Sequence, residues 1–146
     1  RLCLRYGRNR TEAKDILQEG LMAIFKDLKQ FDAKKASFNT WSNRVMVNAA
    51  LRYLKKNHWQ QSFEDLDNAT NNLDISENAL DQITAKELTA LIQKLPSGYR
   101  VVFNMYAIEG YSHKEIATHL GITASASRSQ LTKARKLLKK QLLVLF

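Results

Sequence analysis

In the stretch ASASRSQLTKARKLLKK, the residues Ser125, Arg128, Ser129, Thr132, Lys133 and Lys136 fall at helical spacing, so a helix there would carry them on one side. A guanidinium and hydroxyls near the start of such a helix can hydrogen-bond base edges in a major groove, while lysines neutralise phosphates. A second group, Trp41, Arg44, Asn48, Arg52 and Lys55, shares a face in FNTWSNRVMVNAALRYLKKN. An aromatic ring and an amide within a row of cations suit single-stranded nucleic acid, because the cations hold phosphates and the ring stacks on an unpaired base. A core tryptophan beside a solvated basic face would give the same spacing, so the pattern alone leaves both readings open. Covalent chemistry finds no comparable support. His58, His113 and His119 have no nucleophile or metal partner at recognisable spacing, and no glycine loop is built to cradle phosphate. Cys3 is the only cysteine, which excludes an internal disulfide and a zinc-ligand cluster. An enzyme is therefore disfavoured, and neither a cofactor nor a metal is expected.

Helices must position these groups. Few glycines, one proline and abundant Leu, Ala, Lys, Gln and Glu favour an all-α chain. From Thr11, the residues Ala13, Ile16, Leu17, Gly20, Leu21, Ile24, Phe25, Leu28 and Phe31 mark the apolar side of a long amphipathic helix. Its other side carries Glu12, Asp15, Gln18, Glu19, Lys26 and Lys29, a mixed polar face of the kind that is usually solvated. The polar loop DAKKAS leads to the second long helix, on which Met46, Val47, Ala50, Tyr53 and Leu54 oppose the Trp41 face. KELTALIQKL stops at Pro96, since the residue before a proline avoids the helical region. SGYRVVFNMYAIEG is then one more helix, with Val101, Val102, Met105 and Tyr106 inside and Gly110 as terminator.

Ser112 and Glu115 form a capping box at the start of a short helix whose inner face is Ile116, Ala117 and Leu120. Gly121 permits a left-handed turn, Ile122 plugs the corner and Thr123 caps the next helix. This is the layout of a helix-turn-helix, with Ser127, Leu131, Ala134 and Leu138 as the packing side of its second helix. Ser127 stands where an aliphatic side chain would lock the two helices; a serine there can bond back to a preceding carbonyl, at some loss of packing.

Charge divides the 146 residues into three blocks: +8 over residues 1–60, −5 over 61–95 and +6 over 96–146. The basic blocks favour a polyanionic partner or an anionic surface. We expect a helical domain over 1–60, an acidic linker over 61–84, with Phe63, Leu66, Leu73 and Ile75 docking locally, and a helix-turn-helix domain over 85–146. No apolar run approaches membrane-spanning length and no secretory signal is visible. The opening RLCLRYG lacks a methionine and reads like the last turns of a helix begun upstream. A reducing, cytoplasmic home is expected.

Taken in order, these segments resemble the bacterial sigma-70 family, in its two-domain extracytoplasmic-function group. AKDILQEGLMAIFKDLKQFD is similar to the family's region 2.2, and FNTWSNRVMVNAALRYLKK to its promoter-melting region. IQKLPSGYRVVFNMYAIEGYSHKEIATHLGIT followed by SRSQLTKARKLL is similar to its region 4. The resemblance implies a factor without catalytic chemistry that directs core RNA polymerase to promoter DNA and helps open it. It implies that Asp15, Gln18 and Glu19 grip the clamp helices of the largest polymerase subunit. Trp41, Asn48 and Arg52 match positions that engage the minus 10 element as it melts, flanked here by Arg44 and Lys55, and DAKKASFN matches the loop that captures a flipped base. Arg128, Ser129, Thr132, Lys133 and Arg135 match positions that read the minus 35 element and bind its phosphates. Ala126, Ser127 and Gln130 depart from the commoner pattern. The acidic segment would thread through the polymerase, and its Asp65, Asp67, Asp74 and Asp81 would screen the basic domains in the free protein. Family members are commonly held inactive by an anti-sigma factor, which makes one a further expected partner.

Two other readings compete. A stand-alone helix-turn-helix regulator would need only the second domain, would bind duplex DNA unaided and would dimerise. A helical interaction protein would use its basic faces on an acidic protein, without salt-sensitive promoter recognition.

Overall fold

The computed structural model describes residues 1–58 and 83–145, and among them every regular element is helical. The chain separates into two compact units, Arg1–Trp59 and Gln60–Phe146. The acidic segment expected over 61–84 lies outside the described residues except for its last two positions, as do the four apolar docking positions and the four aspartates named within it. No helix among the described residues is long and apolar enough to cross a membrane.

In the first unit, α1 (Leu2–Tyr6) packs on α2 (Arg10–Asp27) and α3 (Phe38–His58). Asn9 caps α2 by accepting the Glu12 amide at 2.9 Å. Glu12 returns the contact: its carboxylate accepts the Arg8 backbone amide at 2.9 Å and the Arg8 guanidinium at 2.9 and 3.1 Å. Glu12 is therefore buried rather than part of a solvated face, and it can be so because its oxygens are satisfied. Ala13 and Ile16 of α2, Met46, Val47, Ala50 and Leu54 of α3, and Cys3 and Tyr6 of α1 are all buried, and α2 packs along α3.

The apolar side expected for α2 is only partly covered. Leu17, Leu21, Phe25 and Leu28 are exposed, Phe25 by 82%, and Met22 joins them. The reason is geometric. Together α1 and α3 cover a narrower stripe than the apolar sector of α2 spans. Helices α2 and α3 also close tightly at Gly20, where a β-carbon would overlap the Met46 thioether.

The second unit holds α4 (Ala85–Gln93), α5 (Ser97–Phe103), α6 (His113–Leu120) and α7 (Ala124–Leu145). Thr84 and Glu87 form a capping box at the start of α4. At the other end of α4, fully buried Arg100 donates to the Gln93 and Leu95 carbonyls, both at 3.1 Å, and to Ser97 Oγ at 3.2 Å. A guanidinium thus satisfies carbonyls that the proline-terminated helix leaves open. Leu91, Ile92, Leu95 and Tyr99 pack against Ala134, Leu138 and Leu142 of α7. Val101, Val102 and Met105 are buried nearby in sequence, as are Ile116 and Leu120 of α6.

The single helix expected from Ser97 to Gly110 is instead two pieces. After Phe103 the backbone widens into a π-type turn, Asn104–Ile108, closed where the Glu109 amide donates to the Asn104 carbonyl at 2.9 Å. Gly110 follows with a left-handed backbone, φ 79°. Tyr106 consequently turns outward, 37% exposed, instead of joining Val102 and Met105 inside.

Candidate nucleic-acid and partner interfaces

On α3, the side chains of Arg44, Arg52 and Lys55 are exposed, and Trp41 and Asn48 are half-buried. These residues therefore stand on the side of the helix away from the Val47, Ala50 and Leu54 core, as their spacing predicts. The start of α3 is fixed by Ser37, whose Oγ accepts the Thr40 amide at 3.2 Å. The preceding loop is folded by Asp32, whose Oδ1 accepts the Lys34 amide at 2.9 Å.

Trp41 does not act alone. Its ring lies 5.4 Å from Phe31 and 5.7 Å from Phe38, and Phe31 and Phe38 meet edge to face at 5.4 Å. Such offset and T-shaped contacts hold rings in place beyond the effect of burial alone. Phe38 is exposed and Phe31 half-buried. A three-ring shelf thus borders the loop carrying Lys34 and Lys35, which suits a base taken out of a stack. Sequence reasoning placed Phe31 on the α2 apolar side and did not single out Phe38. The available signal was the one-turn spacing of Phe38 and Trp41 directly after a cationic loop.

On α2, Asp15, Gln18 and Glu19 are exposed together. They lie beside the uncovered Leu17, Leu21, Met22, Phe25 and Leu28, of which all but Met22 belong to the apolar side that spacing predicts for α2. Asp15 accepts a hydrogen bond from the Tyr53 hydroxyl of α3 at 3.3 Å. Burial first, and then the Asp15 charge and hydrogen bond, hold the Tyr53 phenol above its usual pKa. The surface combines negative charge, amide and apolar area, which fits a partner protein rather than a phosphate chain.

The helix-turn-helix is built as its local signals predict. Ser112 accepts the Glu115 amide at 3.1 Å, and Glu115 accepts the Ser112 amide at 2.8 Å. Gly121 is left-handed at φ 67°, and Thr123 Oγ1 accepts the Ala126 amide at 3.0 Å to cap α7. Ser125, Arg128, Ser129, Thr132 and Arg135 are exposed along α7, with Lys133 and Lys136 half-buried. Thr132 Oγ1 donates to the Arg128 carbonyl at 3.1 Å. The face can offer hydroxyl and guanidinium groups at its N-terminal half and ammonium groups further on.

Ser127 is handled differently from expectation. It is fully buried, and its Oγ pairs not with a carbonyl of its own helix but with His113 Nδ1 of α6, at 2.8 Å. The His113 ring stacks on Tyr106 at 4.4 Å with 16° between the planes. The Arg135 guanidinium sits 5.9 Å from the centre of the same tyrosine ring.

Comparison with known proteins gives two family matches in chain order. Residues 1–60 match the family model for Sigma-70 region 2, and residues 85–138 that for Sigma-70, region 4. The chain is 28% identical over 153 residues to the RNA polymerase sigma-H factor of Pseudomonas aeruginosa, covering 97% of this chain and 78% of that protein. It is likewise 28% identical over 152 residues to the ECF RNA polymerase sigma factor SigW of Bacillus subtilis, covering 97% of this chain and 81% of the relative. With the ECF RNA polymerase sigma-E factor of Haemophilus influenzae it shares 24% identity, over 92% of this chain and 76% of the relative.

Proposed function

The chain belongs to the sigma-70 family, in its extracytoplasmic-function group, and from that premise we propose how its two units divide the work of promoter recognition. It is a transcription initiation factor that directs RNA polymerase to promoters. A stand-alone regulator would account for the match over 85–138 but not for the one over 1–60.

The first unit, about residues 1–60, takes the polymerase and the minus 10 element. Asp15, Gln18 and Glu19 supply the polar part of the polymerase contact, and the exposed Leu21, Met22 and Phe25 beside them supply its apolar part. Large side chains that can be fully desolvated in a pocket carry most interface energy. Trp41, Arg44, Asn48, Arg52 and Lys55 hold the minus 10 strand, with Phe31 and Phe38 extending the stacking surface. Melting follows from binding the opened strand better than the closed duplex, because stacking and edge hydrogen bonds on an extruded base offset the cost of unstacking it.

The second unit, from residue 85, docks α7 in the major groove of the minus 35 element. Arg128 reads a base edge, Ser125, Ser129 and Thr132 add hydrogen bonds, and Lys133, Arg135 and Lys136 hold phosphates. The segment over 61–84 links the two. The site of action is the cytoplasm, where the polymerase works.

The observation that carries this reading is the partly exposed three-ring shelf at the start of a cationic helix, in a chain that also carries a helix-turn-helix. Duplex binding needs only the latter. The test is whether the protein co-elutes with bacterial core polymerase and starts transcription on genomic promoter fragments. Tight duplex binding without polymerase association would overturn it.

A further inference from the structure

His113 is the half-buried first residue of α6. It joins three elements. Its Nδ1 is bonded to buried Ser127 of α7 at 2.8 Å, its ring lies flat on Tyr106 of the wide turn at 4.4 Å, and Tyr106 in turn carries Arg135 of α7 over its ring at 5.9 Å. Ser127 immediately precedes Arg128 in the chain. Both arginines of the exposed α7 face are thus tied to the imidazole, one through its neighbour and one through the tyrosine.

We propose that His113, in its neutral form, is the positioning residue of the recognition helix, fixing through Ser127 and Tyr106 where Arg128 and Arg135 are presented to the minus 35 duplex. The proposal rests on the reading of α7 as the DNA-contacting helix.

A hydroxyl buried between two helices requires a partner, and the imidazole provides one across the joint rather than along α7. A hydrogen bond also has a direction, so it fixes the rotation of α7 against α6, which an apolar contact leaves looser. The ring is best neutral. It stands at the positive end of the α6 dipole, the charges acting on it are Arg128 and Arg135 of α7, and from the wide turn it faces the phenol ring of Tyr106. On α6 itself, Glu115 is engaged in the Ser112 cap, and Lys114 is a further cation next in sequence. Burial, and then the two arginines, hold His113 below the usual histidine range.

The sign follows. A histidine whose folded pKa is depressed keeps the joint intact above the ordinary range, about 6.5, and weakens it as pH falls through that range toward the lower folded value. Added positive charge would at the same time strengthen sequence-independent attraction to phosphates. Acidification should therefore lower selectivity for the minus 35 sequence rather than total DNA binding.

The experiment uses the full chain bound to core polymerase. Its probe is a duplex carrying the minus 35 sequence that the wild-type holoenzyme selects from a randomised pool, measured against the same duplex with that sequence scrambled. His113→Phe and Ser127→Val each strand one buried polar partner and should each lower the selectivity ratio about tenfold, whereas the double variant replaces both by apolar groups and should recover to within about threefold. His113→Asn, whose amide stands where Nδ1 was, should retain selectivity and lose its pH dependence. Wild-type selectivity should fall with acidification and that of the double variant should stay flat. Unchanged selectivity in His113→Phe, or a double variant as impaired as the two single effects combined, overturns the proposal. Amide exchange over Ala124–Leu131 in the free full chain is the second measurement. Protection there should drop as His113 is protonated in wild type and not in the double variant, and invariant protection also overturns the proposal. If the pool yields no preferred sequence, the promoter reading fails by itself, and the exchange result still decides the role of His113.

Discussion

Tyr53 donates its hydroxyl hydrogen to Asp15 Oδ2 at 3.3 Å, so the helix proposed to hold the minus 10 strand also orients a carboxylate proposed to meet the polymerase. Two surfaces with different partners thereby share one contact between α3 and α2. Because Tyr53 is held protonated above its usual range, first by burial and then by Asp15, its share of stability is present while the phenol is neutral. That share is lost as pH rises through the folded value, above about 10. Asp15→Asn should move the Tyr53 titration down toward the ordinary value without bringing it all the way, because burial remains. Phenolate absorbance, taken as the difference from Tyr53→Phe, reads this directly.

The exposed row on α2 makes a second prediction. Phe25→Ser and Leu21→Ser should leave stability within about 0.5 kcal/mol, since neither side chain is buried. Each should weaken binding to core polymerase about tenfold or more. Comparable losses of folding and binding would show the row to be core instead of interface.

Arg128→Ala and Lys136→Ala separate reading from holding. The first should cost about 1–3 kcal/mol of preference at one base pair of the minus 35 element. The second should weaken binding alike on all sequences and reduce the salt slope by about 1. Competition assays at two salt concentrations distinguish them, and matching profiles would remove Arg128 from base recognition.

Arg100→Met should be the most damaging single change in the second unit, at about 2–4 kcal/mol. The methionine fills part of the volume but leaves the Gln93 and Leu95 carbonyls without the guanidinium that bridges them. Urea denaturation of the full chain measures the loss.

Gly121→Ala isolates backbone strain from crowding. A β-carbon there meets nothing within 4 Å, yet φ is +67°. The expected cost is about 1 kcal/mol from the left-handed backbone alone, with Gly121→Asn cheaper because asparagine tolerates that region. A much larger loss would mean that the turn is packed more tightly than its open surroundings show.

Local signals in the sequence carried much of this structure, and those that failed did so for identifiable reasons. The Ser112 and Glu115 box, Gly121 and Thr123 are legible because each cap is made within four residues. The two sides of α3 are legible because its core residues recur at helical spacing and α1 and α2 cover that side. The apolar side of α2 misled because spacing reports which residues could be buried, not how wide a partner is present to cover them. Glu12 was misplaced because its burial depends on Arg8 folding back onto it. Ser127 is buried on the packing side as its spacing predicts, but its hydrogen-bond partner was not legible because His113 lies fourteen positions away, beyond any periodic pattern. Phe31 and Phe38 meet only after the DAKKAS loop has turned, so their role with Trp41 emerges from tertiary contact.

The wide turn at Asn104–Ile108 has a consequence for chain length. A π-type turn accommodates a residue that an α-helical turn would not, and one residue corresponds to about 100° of rotation about the helix axis. Tyr106 lies under His113 by virtue of that surplus. Removing one residue before it would keep every cap and every core position of the neighbouring helices in the chain, yet bring a different side chain beneath the imidazole. Variation by insertion or deletion at this point would thus retune the seating of α7 with no substitution on α7 itself.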